Sequence, residues 1–432
     1  MKPLELSSEF KLALDFLEKQ GKNLFITGKA GTGKSTLLNL FRDTTKKNIV
    51  VLAPTGVAAL NVRGQTIHSF FGLPPRMINK TEIKKNWRLK KVFQQLNVLV
   101  IDEISMVRAD MMDNIDYALR LNRNRMALPF GGVQVVLVGD LFQLPPVVST
   151  NEERALLEQR YETPYFYSAD VFKHERFELE LFELTKVFRQ DSRHFLRLLD
   201  AIRNNQFDHD DLEDLNERYE PNFKADEGYI VLTARNNVAD NINSTKLRQI
   251  ISAEWEYTAK LEGTADMKQF PTEYNLQLKV GAQVMFVRND TEAGYVNGTI
   301  GVVSFLSDDE IKVTVIDAND EKREIVVSLY TWEMLRYKLS ETDPNAVATE
   351  VVGSFKQYPL KLAWAITIHK SQGKTFDRVI VDLGQGGAFE HGQTYVALSR
   401  CRTLQGIVLR QAITPKDILV DERIIEFHDK MG

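Results

Sequence analysis

Residues Gly28-Lys29-Ala30-Gly31-Thr32-Gly33-Lys34-Ser35 restrict this chain more than any other segment. They satisfy G-x-x-x-x-G-K-[ST], between a short apolar run (Asn23–Thr27) and a helical pattern beginning LLNLF. Glycine at these spacings lets successive backbone N–H groups converge on a β-phosphate without side-chain interference. Lys34 then neutralises β/γ charge and the Ser35 hydroxyl ligates Mg²⁺. Strand, glycine loop and helix in that order require a parallel sheet whose strand feeds a helix on its face.

Other apolar runs of strand length recur at Ile49–Ala53, Val98–Ile101 and Val133–Val138, separated by helical or polar stretches. This alternation predicts an α/β fold with a doubly wound parallel sheet. The pattern restarts near residue 180, with strand-like Tyr229–Leu232, and resumes at Leu360. Between them, residues 251–350 hold short β-like runs punctuated by Gly281, Gly294, Asn297-Gly298 and Asp308-Asp309, which predicts a small antiparallel barrel inserted into a second α/β domain. The 432 residues have room for several cores.

Composition narrows the class. A single cysteine, Cys401, excludes a disulfide framework and a cysteine-rich zinc site. It is read as buried rather than reactive. No apolar run approaches a membrane span, and the first residues resemble neither a signal peptide nor a transit sequence, so a cytoplasmic bacterial or phage protein is expected. A net charge of −4 carries no global sign of a polyanionic partner, which leaves local features to decide.

Two motifs add chemistry to the glycine loop. Val98–Ile101 runs into Asp102-Glu103, where one carboxylate suits the magnesium shell and the second can polarise water. Val138-Gly139-Asp140-Leu141-Phe142-Gln143-Leu144-Pro145-Pro146 closes another strand, and Gln143 can bond both a γ-phosphate and the attacking water. For nucleic acid, Pro54-Thr55-Gly56 ends a strand with a hydroxyl and open N–H groups, and QTIHSFF brings His68 together with Phe70 and Phe71, two aromatics that suit core packing or stacking on bases alike. Residues 76–91 then carry seven Lys/Arg against the single acid Glu82, with Trp87 among them. Cations interleaved with aromatics suit a single strand, although a solvated charged helix has the same composition.

Taken in order, GKAGTGKST, LAPTGVAALNVRGQTIHSFF, LVIDEISMV, LVGDLFQLPP, LTKVFRQ, LAWAITIHKSQGKTF and YVALSRCR resemble the motifs of PIF-type DNA helicases, the RecD-like 5′→3′ branch of helicase superfamily one. The resemblance covers nearly the whole chain and implies two RecA-like domains with ATP in the cleft between them. The first would occupy 1–60 and 79–180, with a small hairpin wedge at 61–78. The second would occupy 181–250 and 350–432, with an SH3-like β-barrel at 251–349.

The resemblance further implies Arg189 and Arg400 as arginine fingers beside Lys34, Glu103 and Gln143 in catalysis, and Ser35 and Asp102 on Mg²⁺. ATP would meet Gly28, Gly31, Thr32, Gly33, Lys34, Ser35, Thr36, Gln143, Arg189, Gly373 and Arg400. DNA would meet Pro54, Thr55, Gly56, His68, Phe70, Arg76, Asn236, Thr367, His369, Lys370 and Ser371, the last four at a helix start. Where that family usually carries an adenine-reading glutamine, this chain has Phe10, read as packing its own helix. The expected activity is ATP-driven 5′→3′ translocation of a monomer on single-stranded DNA, with unwinding at single-strand/duplex junctions. An RNA or mobilisation-type helicase and an ATP-switched DNA clamp remain alternatives.

Overall fold

The computed structural model describes residues 7–148, 150–190, 192–224, 228–264, 267–316 and 321–431. The expected first domain begins at residue 1, so its first six residues lie outside the described residues. Ser7 caps the opening helix through its hydroxyl, which accepts the Phe10 N–H, and Gly21 takes the left-handed turn that ends it.

Six parallel strands form the first sheet: β1 (Leu24–Gly28), β2 (Ile49–Ala53), β3 (Gln65–Thr66), β4 (Val98–Ile101), β5 (Gln134–Val138) and β6 (Glu180–Leu184). Their spatial order is β3-β2-β4-β5-β1-β6. β1 and β4 are buried along their whole length, as continuous apolar runs covered on both faces must be. β6 continues this sheet by pairing in parallel with β1 from Leu24↔Glu180 to Gly28↔Leu184, so the first lobe passes the expected boundary at residue 180. The segment expected to be a hairpin wedge is instead β3 followed by the Ile67–Phe71 helix. β3 joins β2 in parallel, which ties the segment into the sheet.

A second parallel sheet runs Ala365–Thr367, Ile230–Thr233, Val379–Asp382, Ile407–Leu409. The amphipathic Arg193–Arg203 helix lays Phe195, Leu198, Leu199 and Ile202 into the core of this lobe. The C-terminal helix, Glu422–Met431, does not stay with the second lobe as expected. It crosses to the first, where Phe427 stacks on Tyr167 at 4.1 Å between ring centroids.

Among the described residues the β insert forms three hydrogen-bonded sheets. Five antiparallel strands, completed by Leu360–Leu362 beyond the expected end at 349, share an apolar core with the strand pair Glu254–Thr258/Asn275–Lys279. The third sheet is built on a long hairpin, Tyr330–Leu339 with Val347–Gln357, which leans on the first lobe. There the Val51 N–H donates to the Tyr337 hydroxyl at 2.8 Å, and the Asn48 amide donates to the Asn345 carbonyl at 2.7 Å.

Candidate nucleotide cleft and nucleic-acid track

Where β1 ends, the glycine loop turns into the Lys34–Thr44 helix, with Gly33 in the left-handed region (φ 87°) at its N-cap. Gly31 also has positive φ (85°), and a Cβ there would sit 2.6 Å from the Arg189 Cβ. Only glycine satisfies both the backbone and that contact. Lys34 Nζ donates to the Gly28 and Lys29 carbonyls at 2.6 and 3.1 Å, curling over its own loop. Thr32 is buried, and its hydroxyl donates to the Lys29 carbonyl. Gly28 and Thr32 therefore shape the loop from behind.

The loop opens on a cleft of about 720 Å³ between the two lobes. Its walls include Gly31, Gly33, Lys34, Ser35, Thr36, Asp102, Glu103, Gln143, Arg189, Gly373 and Arg400, so eleven of the expected nucleotide, metal and catalytic residues meet at one place. Lys34, Lys186, Arg189, Arg400 and Arg402 supply five cations there against the three carboxylates Asp102, Glu103 and Asp140. An excess of two positive charges suits a polyanion carried with a divalent cation.

Asp102 follows directly on β4, and Glu103 occupies left-handed backbone (φ 51°), a conformation costing about 1–3 kcal/mol for a non-glycine residue. Burial, reinforced by the Glu103 charge, pushes the Asp102 carboxyl up to about 7. Burial also raises Glu103, with Lys34 and Arg400 opposing it. Buried carboxyls held this way need a cation to stay ionised, and Ser35 and Asp102 present hard oxygen donors that fit Mg²⁺. Burial would raise Asp140 too, but Arg203 and Lys34 hold it below the usual carboxylate range.

The two candidate fingers are brought together from sequence-distant segments. Arg189 Nη1 donates to the Ser399 carbonyl at 3.1 Å, immediately before Arg400 in the chain. Arg400 is 1% exposed and donates through Nε to the Val396 carbonyl and through Nη2 to the Ser399 hydroxyl. Burial and the Arg400 charge lower Arg189 from the ordinary guanidinium range, yet it stays protonated near neutrality.

The cleft also holds groups that motif reading left without a role. Phe10 and Phe188 both approach Gly33, with Phe10 Cζ 3.2 Å and Phe188 Cε2 3.8 Å from where its Cβ would stand. Phe10 packs its helix as expected, at 5% exposure, and lines the cleft as well. Phe188 directly precedes Arg189 within LTKVFRQ, so its signal was present in a motif already singled out. Tyr395, Asp200 and Arg203 reach the first lobe from the second; Tyr395 opens the motif YVALSRCR, whereas Asp200 and Arg203 had no local signature.

The profile of the PIF1-like helicases matches residues 6–212, and that of the DNA helicase Pif1 2B domain matches residues 262–306. The ATP-dependent DNA helicase Pif1 of Bdellovibrio bacteriovorus is 34% identical over 436 residues, spanning 98% of this chain and 92% of that protein. The chain belongs to the PIF1-like helicase family. The crystal structure of Bacteroides sp Pif1 in complex with ADP-AlF4 superposes on this PIF1-like helicase with a TM-score of 0.90 at 40% identity, covering 98% of this chain and 96% of that one. For Bacteroides Pif1 bound to ssDNA the identity is again 40% and the coverage 98% and 96%, but the TM-score is 0.68. Sequence likeness and coverage being equal, the present arrangement of parts follows the former.

In this PIF1-like helicase Thr55, Asn236, His369 and Lys370 follow the carboxyl ends of strands of the two sheets, where crevices of open α/β sheets form. Thr55 is exposed after β2, and its hydroxyl caps the next helix by accepting the Ala58 N–H. Pro54 and Gly56 beside it are half-buried, and Gly56 lies under Gln269 of the β insert. Asn236 is exposed just past Ile230–Thr233, while His369 (half-buried) and Lys370 (exposed) follow the neighbouring strand.

Three expected contacts differ. Phe70 is 0% exposed and sits at the centre of an aromatic cluster with Phe71, Phe93 and Tyr337, so it is a core residue. Thr367 and Ser371 are likewise buried, because residues 365–371 form a strand and one 3₁₀ turn instead of a helix start. Their hydroxyls are used internally, Thr367 accepting the Lys370 N–H and Ser371 donating to the Ile368 carbonyl. Arg76 is exposed but engaged with Glu82 at 2.7 Å. His68 is half-buried, and burial together with nearby Arg108 lowers its imidazole from the ordinary range. Cys401 is buried, as expected. Among the described residues no helix is long and apolar enough to cross a membrane.

Proposed function

We propose that this PIF1-like helicase hydrolyses ATP in the interlobe cleft and uses the cycle to move 5′→3′ along single-stranded DNA, unwinding duplex at junctions. The observation that carries this reading is the meeting of Lys34, Asp102, Glu103, Gln143, Arg189 and Arg400 in one cleft between two parallel-sheet lobes. A nucleotide-switched clamp needs affinity alone, whereas this set also holds a water-polarising carboxylate and two arginines for transition-state charge.

Lys34 would leave the loop carbonyls for the β/γ-phosphates, and Ser35 and Asp102 would hold Mg²⁺, which supplies charge neutralisation at the phosphates. Glu103 polarises the attacking water, Gln143 orients it, and Arg189 and Arg400 stabilise the charge that develops. Phe10 and Phe188 stack on the base in place of the family's usual glutamine. DNA runs across the two sheet ends by way of Thr55, Gly56, Asn236, His369 and Lys370. Because Gln269 covers Gly56, the β insert swings away to admit the strand. The helicase works as a monomer in the bacterial cytoplasm.

The deciding experiment compares 5′-tailed with 3′-tailed duplexes under ATP and Mg²⁺, with Lys34→Ala as control. Strand release confined to the 5′ tail and abolished in the variant is expected. Preference for the 3′ tail reverses the polarity, and DNA-stimulated turnover by the variant removes the cleft assignment.

A further inference from the structure

One helix of the second lobe grips the first at two points. The Arg193–Arg203 helix projects Asp200 and Arg203, three residues apart and therefore on one face. Asp200 Oδ2 receives Lys29 Nζ of the phosphate loop at 2.6 Å. Arg203 Nη2 donates to Asp140 Oδ1 at 3.0 Å, with side chains 3% and 0% exposed. The first pair is about one-third exposed and contributes little. The second is dry, and losing either partner would strand the other's charge.

Asp140 is the centre of this contact. Its Oδ2 accepts the Gln143 side-chain amide at 3.3 Å and its Oδ1 accepts the Phe142 N–H at 3.2 Å. The Arg203 guanidinium lies over the Phe142 ring, 3.9 Å from the centroid. One side chain from the second lobe thus holds the carboxylate and the ring on either side of the segment that aims Gln143. The opposite face of its helix is embedded in the second-lobe core, so the helix follows that lobe as a unit.

We propose that Arg203 is a positioning residue that, through Asp140, sets Gln143 for hydrolysis according to how the lobes are closed. The proposal rests on the functional reading above. Its grounds are that the contact is buried, spans the two lobes, and ends on the residue assigned to water. A planar, always-charged fork suits this task, since it can bond the carboxylate in its plane while stacking on the ring through its face.

The test is a double-mutant cycle on ATP turnover, measured with and without single-stranded DNA, combining Arg203→Gln with Gln143→Ala. Arg203→Gln should lower kcat roughly 10- to 100-fold, the scale of an ångström-size misplacement, while KM for ATP stays within about threefold. In the Gln143→Ala background it should add almost nothing, because the group it positions is gone. Arg203→Lys, which keeps the charge without the fork, should fall between and supplies the folded comparison if the glutamine variant is unstable. A full additional loss in the Gln143→Ala background, or wild-type kcat in both Arg203 variants, overturns the proposal. Because the cycle is read on turnover even without DNA, its outcome is separate from that of the tailed-duplex assay.

Discussion

The Tyr395 hydroxyl accepts the backbone N–H of Ala30 at 3.1 Å, joining a helix of the second lobe directly to the phosphate loop of the first. Both residues are buried, and burial raises the Tyr395 phenol far above its ordinary range, so it stays neutral. Removing this acceptor leaves a buried N–H without its partner, a cost of about 1–3 kcal/mol. Tyr395→Phe should therefore weaken binding of a fluorescent ADP analogue by roughly tenfold or somewhat more, about 1.4 kcal/mol per tenfold. Unchanged affinity would mean that the loop keeps its shape without the second lobe.

Arg400 is wholly enclosed and its guanidinium is already oriented by Val396 and Ser399. Arg400→Lys keeps one charge but loses the planar fork. Turnover should fall about 10³-fold, the lower end for an arginine finger, with ATP still bound. Single-turnover hydrolysis alongside equilibrium nucleotide binding separates the two effects, and parallel losses in both would place Arg400 in ground-state binding instead.

Phe70 packs edge-on against Phe71, Phe93 and Tyr337 within 5.7 Å of each ring centroid. Its truncation should act on folding. Phe70→Ala is expected to cost about 3–5 kcal/mol, visible as a lowered Tm. Single-strand affinity of the folded fraction should be unaltered. A wild-type Tm with reduced DNA affinity would return Phe70 to the strand.

His68 is disfavoured as a cation by burial and by Arg108, with Asp110 opposing. Its folded-state affinity for a proton is below that of the unfolded chain, whose imidazole titrates near 6.5. As pH falls through about 6.5, the unfolded ensemble takes up the proton first, so this residue's contribution to stability is present above that value and lost below it. Urea unfolding between pH 5 and 8 should show a shallower acid-side slope in His68→Gln than in the wild type. Identical slopes would assign the acid sensitivity to other groups.

Arrangements carried by neighbours in the chain were legible from residue order. Strand, glycine loop and helix follow one another within Leu24–Thr44, and the acids Asp102-Glu103 end a four-residue apolar strand. The β insert was legible from its turn residues, but its division into sheets and its hairpin against the first lobe were not, because register and docking depend on distant partners. Phe70 is ambiguous in sequence for the same reason: a phenylalanine beside polar groups reads equally as a core residue and as a stacking platform until Phe93 and Tyr337 enclose it. The C-terminal helix likewise carried no sign of which lobe it would cover.

By itself, the order of residues determined that a phosphate-binding turn, a metal-compatible acid pair and two arginine-bearing segments exist, because each depends on backbone geometry and side-chain chemistry within a few positions. Only the tertiary structure decided that Arg203 and Tyr395 touch the first lobe, that Phe188 and Phe10 both approach Gly33, and that Thr367 and Ser371 turn inward. The physical reason is that burial and charge pairing are properties of the space between elements, and that space comes into being only when two lobes close on a common cleft.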